Sequence, residues 1–203
     1  MEHTCNTVTL RGSLHALPEL SHENHGKQFY SFYLEVPRLS GAVDILPIIV
    51  EEKILNNIDL SGGDMITVIG QIRSHNFREN GVRRLMIFVY AAFLNVEDGE
   101  PINDVTVSGP LCKEPTYSRT PLGRDICDVM LAVPRAFHRA DYLPCILWGK
   151  IARAVSQCHT RDVISINGRL QSRIYNKFVD ERLEERTAYE ISALTAEILD
   201  EPE

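Results

Sequence analysis

The segment NTVTLRGSL, Asn6–Leu14, returns 97 positions later as NDVTVSGPL, Asn103–Leu111. At the same offset SFYLEVPR returns as DVMLAVPR, ILPIIV as YLPCIL, and Lys53 as Lys150. After one inserted residue, DMITVIGQIRSHNF aligns with DVISINGRLQSRIY at an offset of 98. The last pair, LMIFVYAAFLNV and TAYEISALTAEI, is offset by 102, so the hairpin before it is four residues longer in the second copy. Self-similarity at a fixed period means that one structural unit is used twice. The polar, turn-forming stretch EDGEPIN, Glu97–Asn103, separates a first unit, residues 1–98, from a second, residues 103–199.

Within the second unit, VTVSGPLC, DICDVMLAV, YLPCILW, DVISINGRLQSRIY and TAYEISALTAEI carry the β-branched and aromatic residues of strands. Between the third and fourth, GKIARAVSQCH places apolar residues at Ile151, Ala154, Val155 and Cys158, the spacing of one helix face. Three strands, a short helix and two strands is the layout of the OB fold, a partly open five-stranded barrel. The chain is therefore expected to be all-β, as two tandem OB folds. Gly12 and Gly70, with their counterparts Gly109 and Gly168, stand inside strand patterns, where glycine marks a bulge or a tight bend.

The order of NDVTVSGPL, LPCILWGKIARA and ISINGRLQSRIY resembles the bacterial single-stranded-DNA-binding proteins and their relative, the primosomal replication protein N. The resemblance implies stacking platforms for unpaired bases at four aromatic positions. In the second unit these are Phe137, Tyr142, Trp148 and Tyr175. In the first they are Ser40, Ile45, Glu51 and Phe77, of which only Phe77 is aromatic. It also implies a homodimer giving four OB folds, possible contacts with replication proteins, and work in replication, recombination or repair.

Strand alternation supports the same face independently. Side chains two apart share a face, so Tyr142, Ile146 and Trp148 oppose the core set Leu143, Cys145 and Leu147. In the fourth strand, Arg169, Gln171, Arg173 and Tyr175 share one parity, opposite Ile164, Ile166, Gly168 and Leu170. Between Val129 and Phe178 there are eight basic residues (Arg135, Arg139, Lys150, Arg153, Arg161, Arg169, Arg173, Lys177) against Asp141 and Asp162. The equivalent stretch, Phe32–Asn80, has four basic and seven acidic residues. Aromatic platforms beside cations suit single-stranded nucleic acid, stacking on bases and tracking phosphates. The second unit is the expected platform, and the acidic first unit the weaker or silent one. Single-stranded DNA is the expected ligand, with RNA left open.

The net charge of −7 over 203 residues is unlike that of most nucleic-acid binders, and only its uneven distribution admits one. Five cysteines without a Cys-x-x-Cys suit free thiols in a reducing cytoplasm rather than a disulfide framework or zinc site. No apolar run reaches the ~18–20 residues of a membrane span, and no signal peptide is seen at the N-terminus. No phosphate loop, nucleophile–base motif or metal-ligand cluster points to an enzyme, and no cofactor is expected. The acid-rich DERLEER, Asp180–Arg186, reads as a solvated loop. A protein-interaction module built from two OB folds is the competing reading, favoured by the acidic first unit.

Overall fold

The computed structural model describes residues 5–79, 81–179 and 182–199, with the side chains of Glu79, Lys177, Val179 and Arg182 outside that description. The first unit runs β1 (Asn6–Leu14), β2 (Glu19–Asn24), β3 (Lys27–Pro37), β4 (Val43–Glu51), α1 (Glu52–Leu55), β5 (Met65–Glu79) and β6 (Val82–Val96). The second repeats the order as β7 (Ile102–Pro110), β8 (Thr116–Arg119), β9 (Asp125–Arg135), β10 (Arg139–Trp148), α2 (Gly149–Val155), β11 (Val163–Val179) and β12 (Arg182–Leu199). Each unit is an OB fold, with the helix between its third and fourth principal strands as expected.

Three details differ from the sequence reading. Each unit gains a short strand, β2 or β8, hairpinned onto the next. Both are exposed along their whole length, so they carry no apolar alternation that a pattern search could detect. The helix α2 buries Ala152 and Val155, while Ala154 is exposed. Residues 182–186 of DERLEER belong to β12, paired along β11 in the long hairpin, rather than to a loop; Asp180 and Glu181 lie outside the described residues.

Apolar alternation builds the barrels. Leu143, Cys145 and Leu147 of β10 point inward and are buried, as are Ile164, Ile166 and Leu170 of β11. In the first unit β1 pairs with both β5 and β3, closing the barrel. In the second, among the described residues, the corresponding edges meet at the isolated bridge Leu111↔Leu131, with the Cys112 N–H donating to the Met130 carbonyl at 2.9 Å. Gly70 and Gly168 sit where pairing along the long hairpins slips by one residue. A Cβ at these positions would stand 2.1 Å from the Tyr90 carbonyl oxygen and 2.2 Å from that of Ser192, so only glycine permits the bend.

The twelve strands form one sheet in the order β2-β3-β4-β6-β5-β1-β7-β11-β12-β10-β9-β8, a palindrome when each strand is matched to its copy. Its centre is the antiparallel pairing of β1 with β7, from Asn6↔Val107 to Arg11↔Ile102. Two reciprocal polar clamps flank this junction. Asp44, fully buried, accepts from the Arg38 guanidinium at 2.8 and 2.5 Å and from the backbone N–H of Ser172 in the other unit at 2.7 Å. Asp141, equally buried, accepts from Arg135 at 3.3 Å and from the backbone N–H of Ser74 at 2.8 Å. Arg73 adds a second guanidinium to Asp141 at 3.0 Å. These buried charges tolerate desolvation because each is paired and hydrogen-bonded.

Candidate nucleic-acid interface

Strand β10 ends at Trp148, and Gly149 turns the chain directly into α2 with φ of +60°, a left-handed value open to glycine. The indole is 37% exposed, and its Nε1–H donates to the Ser192 hydroxyl at 3.2 Å. One edge is thereby anchored while the ring lines an open groove of about 580 Å³ shared with Arg38, Arg124, Arg169 and Arg173. Arg173 also leans toward Glu190 at 3.6 Å and stands 5.7 Å from the Tyr175 ring centroid. Arg124 and Arg169 have no ion pair among the described residues, leaving cations for a ligand. With Arg38 held by Asp44, three guanidiniums, those of Arg124, Arg169 and Arg173, face one carboxylate, Glu190, beside an anchored ring. They can take an anionic, planar ligand: the ring stacks and the arginines meet phosphate.

The other expected residues lie around two further cavities or stand on the open surface. Tyr175 and Phe77, from the two units, line one groove between the long hairpins, with Arg83, Arg84 and Arg186. Phe137 and Arg139 lie with Arg135 in a second, at the turn between β9 and β10. Phe137 and His138 both have left-handed φ, +61° and +55°, which costs a non-glycine residue roughly 1–2 kcal/mol. Phe137 is 90% exposed, so the strain is not offset by packing. Strain of this kind is characteristic of functional sites. Replacing Phe137 with glycine is expected to raise stability by about 1 kcal/mol and, where the ring serves as a stacking platform, to weaken binding of a single-stranded oligonucleotide about fivefold or more. Thermal melting and an oligonucleotide titration give the two opposite signs.

Tyr142 is exposed on the outer face of β10, with its backbone N–H donating to the Ser74 hydroxyl at 2.7 Å. Lys150 is exposed at the start of α2. Arg153, also exposed, pairs with Asp125 at 3.2 Å. Hydrogen bonding from Tyr117, with Arg119 and Arg153 nearby, holds the Asp125 carboxyl below its usual range. Arg135 is engaged in the Asp141 clamp, and Lys177 lies outside the described side chains.

Glu51, the counterpart of Trp148, is bound by Lys27 at 3.2 Å and Lys53 at 3.0 Å. Lys53 foremost, then Lys27, lowers its carboxyl below the ordinary range. Charge counting along the sequence missed this neutralisation, because Lys27 comes from the adjacent strand. It also missed Arg124 and Arg38 in the Trp148 groove. Retention of Arg38/Arg135, Asp44/Asp141 and Ser74/Ser172 in both copies was the available signal for the clamps. Among the described residues no three His, Cys, Asp or Glu side chains form a group that could hold a metal ion. Burial pushes the Cys127 thiol up to about 11. Among the described residues, no helix is long and apolar enough to cross a membrane.

A model of the single-strand binding protein family matches residues 102–199. Single-stranded DNA-binding protein B of Bacillus subtilis is 35% identical over 80 residues, 36% of this chain and 71% of that protein. The single-stranded DNA-binding protein of Bacillus cereus is 35% identical over 81 residues, 36% of this chain and 48% of the relative, so the chain spans about half of that relative's length. The crystal structure of the wild-type single-stranded DNA binding protein from Thermus aquaticus superposes with a TM-score of 0.79 at 21% identity. That likeness covers 98% of this chain and 95% of the other, showing the same fold across both units. The chain belongs to the single-strand binding protein family.

Proposed function

We propose that this protein binds single-stranded DNA without reading its sequence and without catalysis, in replication, recombination or repair. The second unit, residues 103–199, supplies the main platform, and residues 1–98 form the first. The observation that carries this reading is the half-exposed Trp148, tethered by one edge in a groove of arginines. Phe137, Tyr142 and Tyr175 extend the stacking surface. Arg135, Arg139, Lys150, Arg153, Arg169, Arg173 and Lys177 supply cations along it. Phe77 adds an aromatic ring opposite Tyr175. Two chains pairing would present four OB folds, in the cytoplasm.

Adding oligo-dT is expected to quench Trp148 emission. Affinity should fall with salt at a log–log slope of about −0.7 per phosphate neutralised, hence near −3 for about four contacts. Absence of quenching at low salt would refute the reading. The exposed apolar side chains Ile174, Phe178 and Leu183 near the second hairpin's end favour one alternative, a surface for protein partners. Capture of replication proteins beside a blank gel shift would select that alternative.

A further inference from the structure

The groove around Trp148 has a counterpart in the first unit that the family's four aromatic positions do not describe. Matching strand to strand, Trp148 becomes Glu51, Glu190 becomes Phe88, Ser192 becomes Tyr90, and Gln171 becomes Arg73. The corresponding cavity is lined by Phe29, Phe88, Tyr90, Arg73, Arg135 and, from β2, His22. Its rings are already arranged. His22 stacks on Phe29 with centroids 4.8 Å apart and planes 11° from parallel. Phe29 tilts against Tyr90 at 6.3 Å. The Arg73 guanidinium stands 6.0 Å from the Tyr90 centroid. Phe88 and Tyr90 are half-buried and flank the buried Val89, so alternation turns both away from the core.

Local charge also departs from the average of this unit. Glu51 lies across the β3–β4 ladder from Phe29 and is bracketed by Lys27 and Lys53. Asp44 is held in the Arg38 clamp, and Glu35 pairs with His15. Asp141 meets two guanidiniums, those of Arg73 and Arg135, and one carboxylate leaves one positive charge over. The same two arginines line the cavity that holds Phe137 and Arg139, so the two cavities share a wall. An aromatic cluster with an uncompensated cation suits a nucleotide, with a base against the rings and its phosphate toward the arginines.

We infer that the first unit carries its own single-stranded-DNA subsite, centred on Tyr90, Phe88 and His22, which continues the path leaving the second unit at Phe137. This rests on the reading that the second unit binds single-stranded DNA. The aromatic platform has moved from the end of the third principal strand to the last strand, and the acid at the old position is neutralised.

The test pairs a short oligo-dT of about 8 nucleotides with a long one of about 32, lengths within and beyond the ~4–16 nucleotides covered by one OB fold. Both are titrated against Trp148 emission in the intact protein and in the His22→Ala/Tyr90→Leu variant. Affinity for the long strand should fall at least about fivefold, with that for the short strand unchanged. Unchanged affinity for the long strand, or equal loss for both, overturns the inference. Failure of either oligonucleotide to quench Trp148 in the unaltered protein overturns the parent reading, and the subsite with it. Photocrosslinking of the unaltered protein with a bromodeoxyuridine-substituted long strand removes dependence on the variant's folding. Adducts should include Tyr90, Phe88 or His22. Adducts confined to residues 103–199 overturn the inference.

Discussion

Replacing Trp148 and Tyr175 together with alanine is expected to weaken binding of oligo-dT by at least about thirtyfold. Each stacked base contributes about 1–3 kcal/mol, so two platforms together contribute about 2–6 kcal/mol if each holds one base. The rings line separate cavities, Trp148 beside Arg169 and Tyr175 beside Phe77, but share one neighbour, Arg173, so the lower end of that range is the expectation. The variant holds no tryptophan, and its affinity is best measured by anisotropy of a labelled oligonucleotide. Trp148→Phe separates stacking from anchoring: it keeps a ring but loses the N–H donated to Ser192. That variant should retain most of the affinity. An alanine pair that bound as tightly as the unaltered protein would refute the assignment of this face.

Breaking either clamp is expected to cost about 3–5 kcal/mol of stability, the usual penalty for stranding one member of a buried ion pair. Asp44→Ala removes the acceptor for Arg38 and for the backbone N–H and hydroxyl of Ser172. Asp141→Ala strands both Arg73 and Arg135. Because each carboxylate reaches from one unit into the other, the loss should fall on docking of the units as well as on their interiors. Urea unfolding should show a lower midpoint, and separation of one transition into two would indicate that the units have lost their coupling. Asp44→Asn keeps an acceptor without the charge and should fall between. A cost below about 1 kcal/mol for both alanine variants would show the clamps to be dispensable.

Much of the barrel was legible because hydrophobic alternation was written twice. Leu143, Cys145 and Leu147 could be placed in the core, and Tyr142 and Trp148 outside it, from spacing alone. The short strands β2 and β8 were not legible, because no residue in them is buried. Neither were the clamps: Asp44 and Ser172 are 128 residues apart, and nothing local marks them as partners. The charge count was blind to pairing in both units: Glu51 and Asp44 have cationic partners in the first, and Arg135, Arg153 and Arg173 have acidic ones in the second. Adjacent strands supply partners that a one-dimensional tally cannot assign. Arg124 escaped notice for a related reason, since it lies ahead of β9 in sequence but opens into the Trp148 groove.

The palindromic order of the sheet has a consequence for direction. Two identical faces related by a twofold axis cannot tell the ends of a strand apart, since either polarity meets the same surfaces in the same sequence. Here the halves share a scaffold, but one offers Trp148 where the other offers Glu51 between lysines. A polymer laid across the β1–β7 seam would therefore meet different chemistry according to which end leads. Fusing the two halves into one polypeptide allows that distinction, because each copy can change without its partner. The seam thus preserves the symmetry of the backbone while the side chains on its two sides break it.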